Sequence, residues 1–303
     1  DMSDILPIIR NYYTYNGTMY SMPFNSSNAV LYYNKDMFRA AGLDPDAPPA
    51  TFAEMGEYAK ALQTDEVAGV ALPIDCSLFE FNMVNIGKEI VDNGNGRTAR
   101  ATRAVFSENG GGLEVFEAYN ELYQTGATSD FGSDSLQAFM GQKTAMTISS
   151  SSLISTVAKT VGENFEVGVA PMPLIDPQTD CGIPVGGGTL WLANKGEPEK
   201  ERAAFEFLKY MIQPEPQAEW HMATGYYAIN QKAYELDSVK QFYEENPLFE
   251  VAVEQIMNSN TDAVGPVYAT NMEARTKIQD HWRAMMEQRE TPEQAISAAE
   301  AEV

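Results

Sequence analysis

The sequence predicts an α/β fold. Short apolar runs that read as strands alternate with stretches of helical period along most of the chain. Glycine and proline sit at the junctions between them. The last hundred residues or so carry long periodic segments with helix-type start signals, and read as mostly helical.

In order along the chain, residues 1–22 read as the end of a helix, a turn at Tyr15-Asn16-Gly17-Thr18 and a strand, since Asn-Gly is a strong hairpin signal. A polar turn, Asn25-Ser26-Ser27, precedes an apolar strand over residues 29–33. An Asn-Lys-Asp corner opens a short helix closed by Gly42, which supplies a left-handed residue. Pro45, Pro48 and Pro49 keep the next connection extended. Thr51 and Glu54 form a capping box for a helix over residues 51–64, with Phe52, Met55, Tyr58, Ala59 and Leu62 on one stripe.

Residues 67–73 are a candidate buried strand, and Leu78, Phe79, Phe81 and Met83 form an apolar cluster without a clear period. Asn93-Gly94-Asn95-Gly96 is a turn. Gly110 to Gly112 open a helix with Leu113, Phe116, Tyr119, Leu122 and Tyr123 inward and Gly126 as its stop. A short helix over residues 135–140 precedes a strand over residues 144–148, four serines and a helix through Val157. Residues 165–169 are a strand ending toward Pro171. Gly186-Gly187-Gly188 leads into a strand over residues 189–193. Pro198 starts a helix with Glu199 and Glu201 in its first turn and Ala204, Phe205, Leu208 and Met211 inward. Pro214 or Pro216 opens another helix, ended by Gly225, and Thr291 with Gln294 makes a capping box with Pro292 at N1.

The chain has 303 residues, enough for two domains with cores of their own. Asp and Glu number 43 against 20 Lys and Arg, and a net charge of -23 argues against a nucleic-acid partner, which needs a basic footprint. There are two cysteines, Cys76 and Cys181, which read as one disulfide or as two buried thiols. With two histidines and no CxxC, no metal cluster of recognisable spacing exists, and no cofactor is expected. The first residues lack the basic and apolar regions of a signal peptide.

Enzyme motifs are missing. No GxSxG, HExxH or P-loop occurs, and neither His221 nor His281 is placed beside a serine by any motif. Read without relatives, Asn25-Ser26-Ser27 is a surface turn, the run Ser149 to Ser152 is either an anion site at a helix start or an N-cap, and the three glycines either let backbone approach a ligand or form a flexible loop end. Tyr226 is a core or rim aromatic, and Arg275 is a helical arginine paired with Glu273 or Asp280.

The whole string from Met22 to Glu54, MPFNSSNAVLYYNKDMFRAAGLDPDAPPATFAE, resembles the hinge-crossing segment of extracellular solute-binding proteins that feed ABC importers. It looks most like the glycerol-3-phosphate-binding subgroup. Trp220-His221 with Thr224-Gly225-Tyr226-Tyr227 resembles that family's EWH…TGY signature. The resemblance implies a periplasmic-binding-protein-like two-lobe α/β fold with hinge-crossing strands near residues 22–24 and 184–187. Residues 1–22 and 187–232 are then the remnant of an incomplete first lobe, and residues 24–184 and 235–303 the second lobe. It implies that a signal and about a hundred residues of the first lobe precede residue 1, the scale of a small domain.

The same resemblance implies an extracytoplasmic, non-enzymatic receptor, in the periplasm or as a lipoprotein on the outer face of the membrane. Its partners are a small-molecule ligand and the membrane permease subunits of an importer. Glycerol-3-phosphate or a glycerophosphodiester is the implied ligand, with a neutral sugar or oligosaccharide as the alternative. The subgroup's ligand contacts fall on Ser27, Ser149, Gly187, Tyr226 and Arg275, with Ser150 as the alternative to Ser149. Arg275 stands sixteen residues before Thr291, as the subgroup's phosphate-binding arginine does. Two departures stand out. One residue fewer separates Met272 from Arg275, and the subgroup's second-lobe tryptophan is replaced by Ser77, Phe79 or Phe81.

Overall fold

A computed structural model describes residues 2–129 and 132–303. The reversal at Asn16 and Gly17 needs two positive φ values, 48° and 72°, which asparagine and glycine adopt at low cost. It joins β1 (Thr14–Tyr15) to β2 (Thr18–Met19). β3 (Met22–Ser27) follows, and after Asn28 alone the chain enters β4 (Ala29–Asn34). The other strands are β5 (Ala68–Ala71), β6 (Thr128–Ser129), β7 (Thr144–Ser150), β8 (Val167–Pro171) and β9 (Gly186–Leu190).

Five strands make one mixed sheet in the order β6-β5-β7-β4-β8. β5 runs parallel to β6 and β7, and β4 runs antiparallel to β7 and β8. β3 and β9 pair antiparallel in a ribbon of their own. β3 and β4 are nearly continuous in sequence yet belong to different sheets, so the chain crosses from one to the other at Asn28.

β4 is buried at every position, which is why it reads as an unbroken apolar run rather than an alternating one. Alternation sorts its side chains between two cores. Leu31 and Tyr33 join Phe79, Phe116, Met146 and Trp282 in one. Val30 and Tyr32 join Phe139, Val157 and Phe249 in the other, together with Ile5, Ile9, Tyr227 and Ile229. Helices Phe52–Leu62, Gly111–Gln124, Asn271–Met286 and Pro292–Glu302 feed the first core. Helices Ile154–Val161 and Leu248–Asn258 feed the second.

Local signals act as their chemistry dictates. Gly42 has φ 77° after the helix Lys35–Ala40. The Thr291–Gln294 capping box is complete. At Thr51 only half the box forms: its hydroxyl accepts from Glu54 N at 3.1 Å, but the Glu54 carboxylate takes the N–H of Ala50 instead. The glycines 186–188 lie inside β9 rather than before it. Residues 76–85, aperiodic in sequence, form a helix whose apolar residues lie on several sides, so it has no polar stripe to reveal it.

One expected face is overturned. On the helix Pro198–Met211, of Ala204, Phe205, Leu208 and Met211 only Leu208 is buried. Phe205, Phe207 and Tyr210 are exposed, as are Tyr20, Trp191 and Leu192. The stripe has helical period, but Ala204 and Phe205 on it are exposed and Met211 is only half-buried.

Candidate ligand-binding site

The crossing from β3 to β4 gathers most of the candidate residues. Ser27 closes β3 opposite Gly186, and Ser26 lies opposite Gly187. The register slips between Pro23 and Asn25, and the Asn25 side-chain oxygen there accepts from Gly188 N at 2.6 Å. On the other side of β3, Tyr227 N donates to Ser26 O at 2.7 Å, which sets Tyr226 beside the same seam. Ser149 lies opposite Val30 in β7. Its successors fold back onto the crossing: Ser151 N donates to Asn28 O at 2.8 Å, and the backbone at Gly225 runs against Ser151 O.

Four of the five candidates, Ser27, Ser149, Gly187 and Tyr226, therefore stand on backbone segments that meet at the crossing. The hydroxyls of Ser27, Ser149 and Tyr226 have no hydrogen-bond partner among the described residues. Ser149 and Tyr226 are half-buried and Ser27 nearly buried. Ser150, the alternative to Ser149, is spent locally: its Oγ accepts from Ser152 N at 3.3 Å and lies 2.8 Å from Ser152 Oγ. Gly187 has φ 130°, and a Cβ there would stand 2.2 Å from Asn25 O, so backbone alone fits.

Two supports hold this seam. Buried His221 contacts Tyr226 O through Nδ1 at 2.6 Å and Tyr243 Oη through Nε2 at 2.8 Å. A carbonyl only accepts, so Nδ1 carries the proton and Nε2 receives one from the tyrosine. Burial pushes the His221 pKa down, partly offset by the Tyr226 carbonyl. Gln217 spans the seam, donating to Phe24 O at 2.9 Å and accepting from Ile229 N at 2.8 Å.

Arg275 occupies a different place. It lines a cavity of about 120 Å³ with Tyr12, Glu80, Phe81, Pro184 and Val185. Pro184 and Val185 directly precede Gly186, so this cavity adjoins the seam, but no contact joins Arg275 to the other four candidates among the described residues. It pairs with neither Glu273 nor Asp280. Its Nε and Nη2 engage the two Glu80 oxygens at 2.9 and 2.7 Å, and Nη2 also donates to Ser77 Oγ at 3.0 Å. The paired carboxylate drives the arginine pKa further up, against the opposing cost of burial.

Sequence reading missed Glu80 as a site residue. The usable signal was Ser77 and Glu80, one helical turn apart behind the Asp75 N-cap. Of the proposed aromatic substitutes, Phe81 lines the cavity, whereas Phe79 is fully buried against Phe106 and Phe116. Cys76 and Cys181 are both free thiols. Cys76 is the first residue of the Glu80 helix.

The profile of the family described as bacterial extracellular solute-binding protein matches residues 1–251. The chain belongs to that family. It is an extracytoplasmic solute-binding protein, and no helix among the described residues is long and apolar enough to cross a membrane.

Among its relatives is the sn-glycerol-3-phosphate-binding periplasmic protein UgpB of Yersinia pestis, 32% identical over 307 residues, which cover 98% of this chain and 69% of that protein. The UgpB of Pectobacterium atrosepticum is 29% identical over 308 residues, covering 99% and 69%. Two solved structures share the fold at a TM-score of 0.82. They are UgpB from Mycobacterium tuberculosis in complex with glycerophosphocholine, at 20% identity over 99% of this chain and 74% of that one, and the cyclic alpha-maltosyl-1,6-maltose binding protein from Arthrobacter globiformis, at 19% over 100% and 75%. The fold of this solute-binding protein is thus the periplasmic-binding-protein-like α/β architecture.

Proposed function

We propose that this solute-binding protein captures glycerol-3-phosphate or a glycerophosphodiester and delivers it to the permease subunits of an ABC importer. Ser27, Ser149, Gly187 and Tyr226 bind the polyol and phosphate oxygens, and Arg275 faces the anion. Residues 24–184 and 235–303 act as one lobe and residues 1–22 and 187–232 belong to the other, with the β3–β9 ribbon bridging the two and ligand held where the chain passes from β3 to β4. The observation that carries the reading is the set of three residues with unpartnered hydroxyls on backbone segments that meet at the β3–β4 crossing, beside a backbone approach that only glycine permits. Hydroxyls left open at a hinge supply hydrogen bonds to ligand without first breaking bonds to protein. The UgpB relatives favour the phosphate ligand, and binding without turnover is the expected behaviour.

A neutral sugar is the second reading, favoured by one feature: Glu80 already balances the charge of Arg275. Titration calorimetry on the full-length protein with glycerol-3-phosphate, a glycerophosphodiester and maltose separates the two. Arg275→Ala is expected to weaken phosphate ligands by about 2 kcal/mol, the low end of the range for losing one partner of a buried charge pair, because Glu80 already compensates the arginine. Maltose tighter than both phosphate ligands, with no effect of the substitution, would put the sugar reading first.

A further inference from the structure

Arg275 is the cation on which the phosphate reading rests, and it is half spent within the protein. Glu80 grips its Nε and Nη2 edge with both oxygens, and Ser77 takes the second Nη2 donor. A guanidinium has five N–H donors. The two on Nη1 have no partner among the described residues. Glu80 is only 8% exposed, so its charge is poorly screened by water. It lines the same cavity of about 120 Å³ as Arg275, with Tyr12, Phe81 and Asn271 on the walls.

An anion reaching Nη1 touches the cation on an edge that Glu80 does not occupy, while the carboxylate on the Nε and Nη2 edge offsets part of the attraction from farther away. The first negative charge still gains, because Nη1 gives it two charge-assisted hydrogen bonds. A second negative charge gains less from a cation that Glu80 already partly offsets, and it loses its hydration on entering the cavity. A phosphate monoester carries nearly two negative charges at neutral pH, with a second pKa of about 6. A diester carries one. We propose that Glu80 is a specificity-determining residue that makes Arg275 a reader of singly charged phosphodiesters and disfavours doubly charged monoesters. This inference rests on the phosphate reading above.

The test compares sn-glycerol-3-phosphate with its methyl diester, which shares the glycerol and adds no cation. Calorimetry on the full-length protein at pH 8 is expected to give the diester about tenfold tighter binding, the scale of one poorly compensated charge. Glu80→Gln keeps shape and one acceptor while removing the charge. It is expected to tighten the monoester about tenfold and leave the diester within about threefold. The wild type gives a check that no substitution can confound. Between pH 8 and pH 5.5 the monoester loses its second charge, and its affinity is expected to rise toward that of the diester. The groups near the pair are Asp75, Cys76, Tyr12 and Tyr268, with Arg97 beside Tyr12. The diester keeps one charge throughout and reports whatever they contribute.

If Glu80→Gln tightens both ligands equally, Glu80 is a competitor for Arg275 rather than a charge selector, and the proposal falls. An unchanged ratio between the ligands, or no pH effect specific to the monoester, overturns it as well. Wild type that binds neither phosphate ligand refutes the phosphate reading along with the inference.

Discussion

His221 holds the carbonyl of Tyr226 at 2.6 Å through Nδ1. That bond ties the loop carrying a candidate ligand tyrosine to the interior of the helix Pro214–Thr224, whose Gly225 C-cap turns the chain with φ 95°. The far side of the ring takes its proton from Tyr243, at 2.8 Å. Both ring nitrogens are used, and the imidazole has one tautomer that satisfies both partners. A protonated ring would donate from both nitrogens, and Tyr243 would have to turn from donor to acceptor.

The consequence is a pH dependence of fixed sign. Burial lowers the folded pKa of His221 below its ordinary value of 6.5. The unfolded chain therefore binds the proton more readily than the folded one. Stability from the neutral ring is fully present above pH 6.5 and is lost as pH falls from there toward the folded pKa. Thermal melts from pH 7.5 to 5 are expected to show Tm falling below 6.5. His221→Gln cannot titrate. It is expected to cost about 1–3 kcal/mol at pH 7.5 through lost hydrogen bonds, and to flatten the decline between pH 6.5 and 5. An equal slope in wild type and variant would assign the decline to other groups.

Gly187 and Gly186 make a matched pair for testing the seam. A Cβ on Gly187 would stand 2.2 Å from Asn25 O at a φ of 130°, whereas on Gly186 the nearest atom is Ser27 O at 3.8 Å, ordinary contact. Gly187→Ala is expected to lower stability by at least about 1–3 kcal/mol, the scale of a residue forced into a disfavoured conformation. It also displaces β3 where Ser26 and Ser27 stand, so ligand affinity should fall with it. Gly186→Ala is expected to be near neutral in chemical denaturation. Two equally mild variants would mean that the β3–β9 ribbon yields easily.

Much of the fold was legible because its signals are local. Gly42, the Asn16-Gly17 turn and the Thr291 cap each act within a few residues, and β4 announced itself by being apolar on both faces. The helix Cys76–Asn85 escaped because burial on several sides removes the polar stripe that periodicity detects. For the site, residue types alone read as turn, cap and core; the family resemblance pointed to Ser27, Ser149, Gly187 and Tyr226, and only the three-dimensional path brings their backbones to one crossing. The Glu80–Arg275 pair was not legible. It joins residues 195 apart in sequence, and no local rule prefers Glu80 over the nearer Glu273.

The helix Pro198–Met211 is where sequence and structure part most clearly, and it yields the last prediction. Its apolar stripe of Ala204, Phe205, Leu208 and Met211 has the period of a core-facing helix, yet Phe205 is 46% exposed, and off the stripe Phe207 is 56% and Tyr210 59% exposed. Leu192, Phe205 and Tyr20 border a cleft of about 510 Å³ alongside Met22 and Leu208. Apolar surface of this extent seeks cover. The 303-residue chain by itself is expected to bind the dye ANS while fully folded and to self-associate as concentration rises. Replacing Phe205, Phe207 and Tyr210 together with Ser should remove most of the dye signal and the association. It should leave Tm nearly unchanged, since little buried area is lost with side chains that are already exposed. A large drop in Tm would show instead that these side chains pack against the rest of the chain, and that the stripe is covered.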